Sequence, residues 1–467
     1  MPKNNIPRTH LFSDEDLHLY EIQNIFTACA LWLEEGMENQ IATYDLVVRD
    51  MPPHRNFLLL GGIEEIVTGI RKWGYSKGEV DYLNKHKLAT PKLIKYLRNF
   101  RFTGDVWTMP EGTIFFPGEP VVRITAPICE GNLLSNFLMI AVFGNSMYLS
   151  KMIRGKIASG KKEFFAASGM RVSSFETAMK ASRAGYIIDA KTAFPAFFRK
   201  YGLTPPPVSI NAYHAVIKSF PTELAAFRAA ARLFPNRARP MVDTYDFEQG
   251  IRNLITVARE IKEKGEHISH ITIDSGDLHQ RSCYARREFD KAGFPEIKIY
   301  LASNLDEYKI AEFERKRTPA DGYLAVTEVS TVSDAPKLEI VYKIAEIRQG
   351  RTIRHLAKLA KGKESYPGRK QVFRTFDARG KMKGDVVGLE AQRLGTPLLV
   401  PMVKKGKLAR DLPSLDDMRS YVKEQIAQLP KRYLSIEEEY PYSVKVSKQI
   451  KDLFNKVKKE HTNVLKP

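Results

Sequence analysis

Cysteine is scarce in this chain of 467 residues: Cys29, Cys129 and Cys283 stand far apart, with no CxxC or CxxH pair. That spacing excludes a disulfide framework or a zinc knuckle as the organising device and fits a reducing cytoplasm. The polar start, MPKNNIPRTHLFSDED, lacks the apolar stretch of a signal peptide. No long uninterrupted apolar run occurs either. The most apolar segment, LLSNFLMIAVFGNSMYLSKMI from Leu133, is broken by Asn136, Asn145 and Ser146 and reads as a buried core helix rather than a membrane span. Gly-Ser linkers, low-complexity tracts and short repeats are missing, as are GxGxxG and GxxxxGK[ST], so dinucleotide and P-loop readings have no motif to stand on. A soluble protein without membrane partners is expected.

What is present is globular: 43% hydrophobic and 27% charged residues. The length exceeds one ordinary core, so two or three domains are expected. The formal net charge is +19, and most of it lies late: from Lys343 onward there are 29 Lys and Arg against 14 Asp and Glu. Such a field attracts polyphosphates, nucleic acid or anionic membranes; its dispersed placement equally suits a solvated face. No interleaving of aromatic and basic residues marks an RNA module, so nucleic acid is not expected as a partner.

Leu17 to Gly36 has helical periodicity, and TYDLVVRDMP is a strand-length apolar run closed by Pro52 and Pro53. The middle of the chain is more telling. Five β-rich runs, PVSINAYH from Pro207, ARPMVDTYD from Ala238, HITIDSGDL from His270, IKIYLASNLDE from Ile297 and GYLAVTEVSTVSDAP from Gly322, each lead into a helical pattern. Their spacing fits one strand plus one helix, which argues for parallel pairing and a (β/α) barrel, with an open doubly wound sheet as the alternative. In a barrel, chemistry sits at the carboxyl ends of the strands, where His214, Asp243, Asp274, Asp277, Asn304 and Thr327 fall.

DSGDL, Asp274 to Leu278, is the sharpest local signal. Paired carboxylates around Ser275 and Gly276 could hold ribose hydroxyls or a magnesium ion on a diphosphate; Asp and Ser there could equally cap a helix. His214 could serve as nucleophile or acid–base group, or be structural. Tyr20 and Arg171 could stack on or clamp an anionic ring, or simply pack.

Long blocks then carry a resemblance. HAVIKSFPTELAAFRAAARLFPNRARPMVDTYDFEQGIRN from His214, RFTGDVWTMPEGTIFFPGEP from Arg101, DSGDL, SNLDEYKIAEF from Ser303, SDAPKLEIVYKIAE from Ser333 and YPGRKQVFR from Tyr366 resemble the nicotinate phosphoribosyltransferase family, from about Leu19 to Val444. The resemblance implies an irregular parallel (β/α) barrel of the type II phosphoribosyltransferase kind, beside an α+β domain formed by the N- and C-terminal parts. It divides the chain into residues 1–125, 126–347 and 348–467. It implies that nicotinate is joined to phosphoribosyl pyrophosphate, giving nicotinate mononucleotide for NAD synthesis, with Mg2+ and with ATP phosphorylating a histidine. A cytoplasmic homodimer with shared active sites is expected.

By motif, His214 matches the phosphorylated histidine and Tyr20 the tyrosine that stacks on the pyridine ring. Asp274, Ser275, Gly276 and Asp277 match the family's DSGDL, Ser303 and Asn304 the block before LDE, and Thr327 the phosphate-loop threonine. Several positions depart from the pattern. The family's GTxAHS reads Ile210, Asn211, Ala212, Tyr213, His214, Ala215, which puts Asn211 where a threonine holds nicotinate. Thr272 stands where an arginine is usual, and adjacent arginines are reduced to Arg171 preceded by Met170. The phosphate loop GxGT reads Leu324, Ala325, Val326, Thr327, and side chains there restrict a backbone cradle. The second reading is therefore an inert relative that keeps the fold as a binding or regulatory module.

Overall fold

The computed structural model describes residues 17–19, 23–166, 171–206 and 210–462. Six short strands surround the barrel axis: β1 (Glu163–Ala166), β2 (Ile210–Ala212), β3 (Ala238–Pro240), β4 (His270–Ile273), β5 (Lys298–Leu301) and β6 (Gly322–Ala325). Every ladder between them is parallel: β2 with β3, β4 with β5, β5 with β6, and β6 back to β1. Two isolated parallel bridges extend the ring, Met241 to Thr272 between β3 and β4, and Phe165 to Lys191 outside β1. Pairing of the first strand with the last places the two sequence ends of the series side by side, the neighbour order of an irregular parallel (β/α) barrel. The five runs read from the sequence supply β2 to β6. The first strand, EFFA, was not among them, because four residues without flanking periodicity carry no pattern.

Local chemistry starts the helices after β3, β4 and β5. Asp246, Asp277 and Asp306 accept from the backbone N–H three residues on, opening the helices Phe247–Lys262, Leu278–Ala292 and Glu307–Arg315. Those helices lay Ile251, Leu254, Ala285, Phe289 and Ile310 on the outward faces of the strands, against Ile271, Ile273, Ile299 and Leu301. Strand residues of the other parity point inward, so the interior is lined by a separate set that includes Arg239, His270, Thr272 and Tyr300.

Beside the barrel lies a seven-stranded antiparallel sheet, in the order Thr352–His355, Ile340–Gln349, Ile41–Val48, Pro120–Pro127, Asp105–Thr108, Val400–Lys404 and Lys407–Leu408. It draws on both chain ends, as expected of the α+β part, and through Ile340–Gln349 it also takes in residues 340–347. Between sheet and barrel runs the helix Ser135–Ala158, packed against Ile63–Lys72, Phe175–Ile187 and Glu307–Arg315. By length and composition the stretch Ile128–Ala158 could cross a membrane, with mean hydropathy 1.3. Here it is an internal strut, and its inner face carries Lys151 and Arg154 into a buried ion network.

That network joins four distant segments. Glu307, fully buried at the start of the helix after β5, receives Lys151 Nζ at 2.6 Å and Arg154 Nε at 2.8 Å. Lys151 also reaches Asp334 at 3.2 Å, and the buried Arg55 donates to Asp334 at 2.7 Å. Burial alone would raise the Asp334 carboxyl, but Arg55 and Lys151 hold it down, at about 2. Removing one member of such a network strands the charges left behind, which costs about 3–5 kcal/mol. Asp334→Asn should therefore lower stability at pH 7 by about 3 kcal/mol, read by urea denaturation. Because the folded carboxyl titrates below its unfolded value, its contribution is complete above about pH 4 and fades as pH falls toward 2. The gap between wild type and variant should narrow at pH 3; a gap unchanged between pH 7 and pH 3 would exclude the carboxylate as its source.

Candidate active site at the carboxyl ends of the barrel strands

The turn after β4 is organised by a carboxylate from the neighbouring strand. Asp243 follows β3, its side chain only 1% exposed. Its Oδ2 accepts from the backbone N–H of Asp274 at 3.0 Å and from the Ser275 hydroxyl at 2.6 Å. Asp243 Oδ1 is buried and has no hydrogen-bond partner among the described residues. The two carboxylates of DSGDL then divide in role. Asp277 Oδ1 accepts from Gln280 N at 3.0 Å and caps the following helix. Asp274 faces the cleft, half-buried. Burial raises its carboxyl above the ordinary range, Asp243 adds to that, and His214 and Arg171 oppose it. One electrostatic unit thus contains residues from four separate strand ends.

His214 begins the short helix after β2, with Nδ1 3.0 Å from the Thr244 hydroxyl. Arg281, one turn into the helix after β4, folds back over the turn. Its Nη1 donates to the Ser275 carbonyl and to Ser275 Oγ, both at 2.8 Å, and lies 3.9 Å from Asp243 Oδ2. The guanidinium carbon sits 4.8 Å from the centre of the Phe247 ring. Gly276 makes room for this: at φ +71° it adopts the left-handed region, and a Cβ there would lie 2.5 Å from the Arg281 guanidinium.

Other residues named from the sequence stand outside the hydrogen bonds of this unit. Ser303 (φ 82°) and Asn304 (φ 47°), after β5, hold the left-handed backbone that side chains rarely adopt. Thr327 is half-buried at the start of the short helix after β6, and its carbonyl accepts from the Thr331 hydroxyl. Leu324, also half-buried, pairs in register with Phe165. Thr272 is buried on β4, its hydroxyl without a partner. Asn211 belongs to β2 by its backbone; Tyr20 and Met170 lie outside the described residues. Among the described residues no group of three or more His, Cys, Asp or Glu gathers around a metal position.

Asp243 was placed at a strand end from the sequence but given no role, and Thr244 and Arg281 were not singled out. Asp243 had a signal: it follows β3 as Asp274 follows β4. Arg281 had none, since only the fold returns it to the turn.

Residues 19–142 match the nicotinate phosphoribosyltransferase (NAPRTase) N-terminal domain, and residues 391–454 the nicotinate phosphoribosyltransferase C-terminal domain. Nicotinate phosphoribosyltransferase pncB2 of Mycobacterium tuberculosis is 34% identical over 445 residues, spanning 94% of this chain and 92% of that protein. The chain belongs to the nicotinate phosphoribosyltransferase family. The nicotinate phosphoribosyltransferase of Bacillus subtilis is 26% identical over 462 residues, covering 92% of this chain and 93% of that one. In fold, the chain is similar to human nicotinic acid phosphoribosyltransferase, with TM-score 0.81 at 20% identity over 94% of this chain and all of that one. The two matched segments flank the barrel, while the family positions altered in this chain, Asn211, Thr272, Leu324 and Val326, lie between them.

The Gly276–Arg281 fit can be measured as a coupling. Gly276→Ala should cost about 1–2 kcal/mol from the left-handed backbone, plus the displacement of Arg281. In an Arg281→Ala background the same change should cost less, because only the backbone component remains. A double-mutant cycle in urea that closes with no coupling would show that Arg281 does not lie across the glycine.

Proposed function

We propose that the chain joins nicotinate to phosphoribosyl pyrophosphate. The pyridine nitrogen attacks the ribose C1′, the C1′–O bond to diphosphate breaks, and nicotinate mononucleotide and pyrophosphate leave. The observation that carries this reading is the turn in which Asp243 holds Asp274 and Ser275, with His214 held by the adjacent Thr244, at one mouth of a type II barrel. Arg281 adds a guanidinium that holds the turn beside them, and two arginines at the mouth suit a donor rich in phosphate.

Magnesium is the ion implied by family. Asp243 Oδ1, buried and unpartnered, and the adjacent Asp274 fit a hard cation that takes few protein ligands and completes its shell with phosphate oxygens and water. They would hold the ion, which would neutralise diphosphate charge. In the ATP-assisted step, a Thr244 hydroxyl accepting from Nδ1 leaves His214 Nε2 as the nucleophile; it attacks the γ-phosphorus, and the bond to ADP breaks. The assembly we propose is a homodimer with Tyr20 among the pyridine-contacting residues. Exposed aromatic residues beside the mouth, Phe175 at 86%, Tyr213 at 53% and Tyr245 at 65%, support a covered rim. Three free thiols support a cytoplasmic setting.

Leu324 and Val326 narrow the phosphate cradle, so donor affinity should be weak and turnover slow. Thr272→Arg alone should change little, whereas Thr272→Arg with Leu324→Gly and Val326→Gly should raise donor affinity and rate. The assay is mononucleotide formation with nicotinate, donor, magnesium and ATP, alongside calorimetric titration of the donor. His214→Ala should abolish ATP hydrolysis and its stimulation of the rate while sparing donor binding. No mononucleotide from wild type or the triple variant would overturn the reaction. Light scattering that shows a stable monomer at micromolar concentration would overturn the assembly.

A further inference from the structure

Beneath the mouth, the barrel interior holds a cation without a partner. Arg239 lies on β3, two residues before Met241, whose backbone bridges Thr272 on β4. By strand alternation Arg239, Met241 and Asp243 share one face, as do His270, Thr272 and Asp274. Asp243 and Asp274 meet at the mouth, so Arg239, His270 and Thr272 line the space below them. Arg239 Nε, His270 Nε2 and Thr272 Oγ1 are all buried with no hydrogen-bond partner among the described residues. No carboxylate is paired with Arg239 there either. The group that acts on its charge is the Tyr300 phenol, itself committed to Glu163 at 2.8 Å.

Every free valence here can be a donor. His270 and Thr272 are 7% and 3% exposed. Burial first, and then the charge of Arg239, pushes the His270 imidazole down to about 3, so the ring is neutral at physiological pH. Its Nδ1 lies 2.9 Å from the Ser269 hydroxyl. With that hydroxyl donating, Nε2 carries the proton. A guanidinium, an imidazole N–H and a hydroxyl free to donate, with no carboxylate paired to them among the described residues, form an unfinished anion site, because a buried cation needs a counter-charge. The His270 and Tyr300 rings, with centroids 4.5 Å apart and planes tilted by 51°, give it an aromatic wall.

We propose that Arg239, with His270 and Thr272, is the carboxylate subsite for the acceptor base, entered from the mouth. The assignment rests on the phosphoribosyl-transfer reading above and adds which residues select an acid over an amide. Thr272 lies two residues, about 7 Å of strand, below Asp274, a depth suited to a pyridine ring with its carboxylate pointing inward and its nitrogen toward the ribose. Position 272 needs no arginine in this chain because the charge comes from the neighbouring strand.

The test uses the full-length protein, with nicotinate, nicotinamide, chloride and phosphate as separate probes. Arg239→Met should weaken nicotinate binding by at least roughly tenfold in calorimetry, the range of a lost charge-assisted contact, and leave donor binding unchanged. Nicotinamide, which has no charge to pair, should bind wild type and variant alike. Without ligand the variant should melt no lower than wild type, since it loses an unpaired buried charge, and that result also verifies folding. Arg239→Met with Thr272→Arg should regain most of the nicotinate affinity, since the guanidinium returns one strand over. Equal nicotinate affinity in wild type and Arg239→Met would overturn the subsite even if mononucleotide forms. So would chloride or phosphate stabilising wild type as well as nicotinate does, which would mark an inorganic-ion site only. Failure of the broader reading is distinguishable: wild type would bind the donor but neither bind nicotinate nor form mononucleotide.

Discussion

The buried network of Lys151, Arg154, Glu307, Asp334 and Arg55 is the constraint on which the site depends. Its members come from the helix between the two halves, the segment after β5, the connection out of β6 and an N-terminal loop. A barrel strand only four residues long cannot fix its exit loops through ladder bonds alone. Here charges from the central strut anchor the loops after β5 and β6 from behind, leaving their front faces to ligands. This accounts for the blocks SNLDEYK and SDAPK standing intact while nearby residues at the mouth have changed: the former hold charge pairs in place, and the latter face open space.

The mouth itself is a balance of like and unlike charges. Asp243 and Asp274 are held close, with Asp243 taking the backbone of its neighbour's turn. His214, Arg171 and Arg281 surround the pair, and Arg239 lies deeper along the same interior. Carboxylates at the rim suit the sugar and a divalent ion; guanidiniums suit phosphates and an acid group. The barrel therefore separates its charges by depth as well as around its circumference.

Much of this was legible in the sequence, for physical reasons that differ by element. Strands β2 to β6 announced themselves because each combines β-rich composition with a polar turn, and β3, β4 and β5 also lead into helices capped by aspartate, all local signals. DSGDL was legible as a site and as a cap: the cap is seen at Asp277, and Asp274 stands at the strand end beside Asp243. EFFA was too short to read. Arg281 and Arg239 were invisible for another reason: a long side chain finds its place through the packing of other segments, and an arginine four residues into a helix looks like solvated surface. Asn211 and Thr272 could be recognised as departures, but what surrounds Thr272 became visible only when β3 was laid beside β4.

The antiparallel sheet imposes an order on how this chain can assemble. Its strand Ile41–Val48 pairs on one side with Pro120–Pro127 and on the other with Ile340–Gln349. The second partner leaves the ribosome some 220 residues after the first, about eleven seconds or more at typical elongation rates. Throughout that interval an eight-residue, largely apolar strand has one open edge, the kind of template that captures other chains. The barrel strands, by contrast, find their neighbours within a few dozen residues, apart from the closing pair. Synthesis therefore exposes the sheet's edge longest, and the sheet, rather than the barrel, holds the pairing of greatest sequence separation.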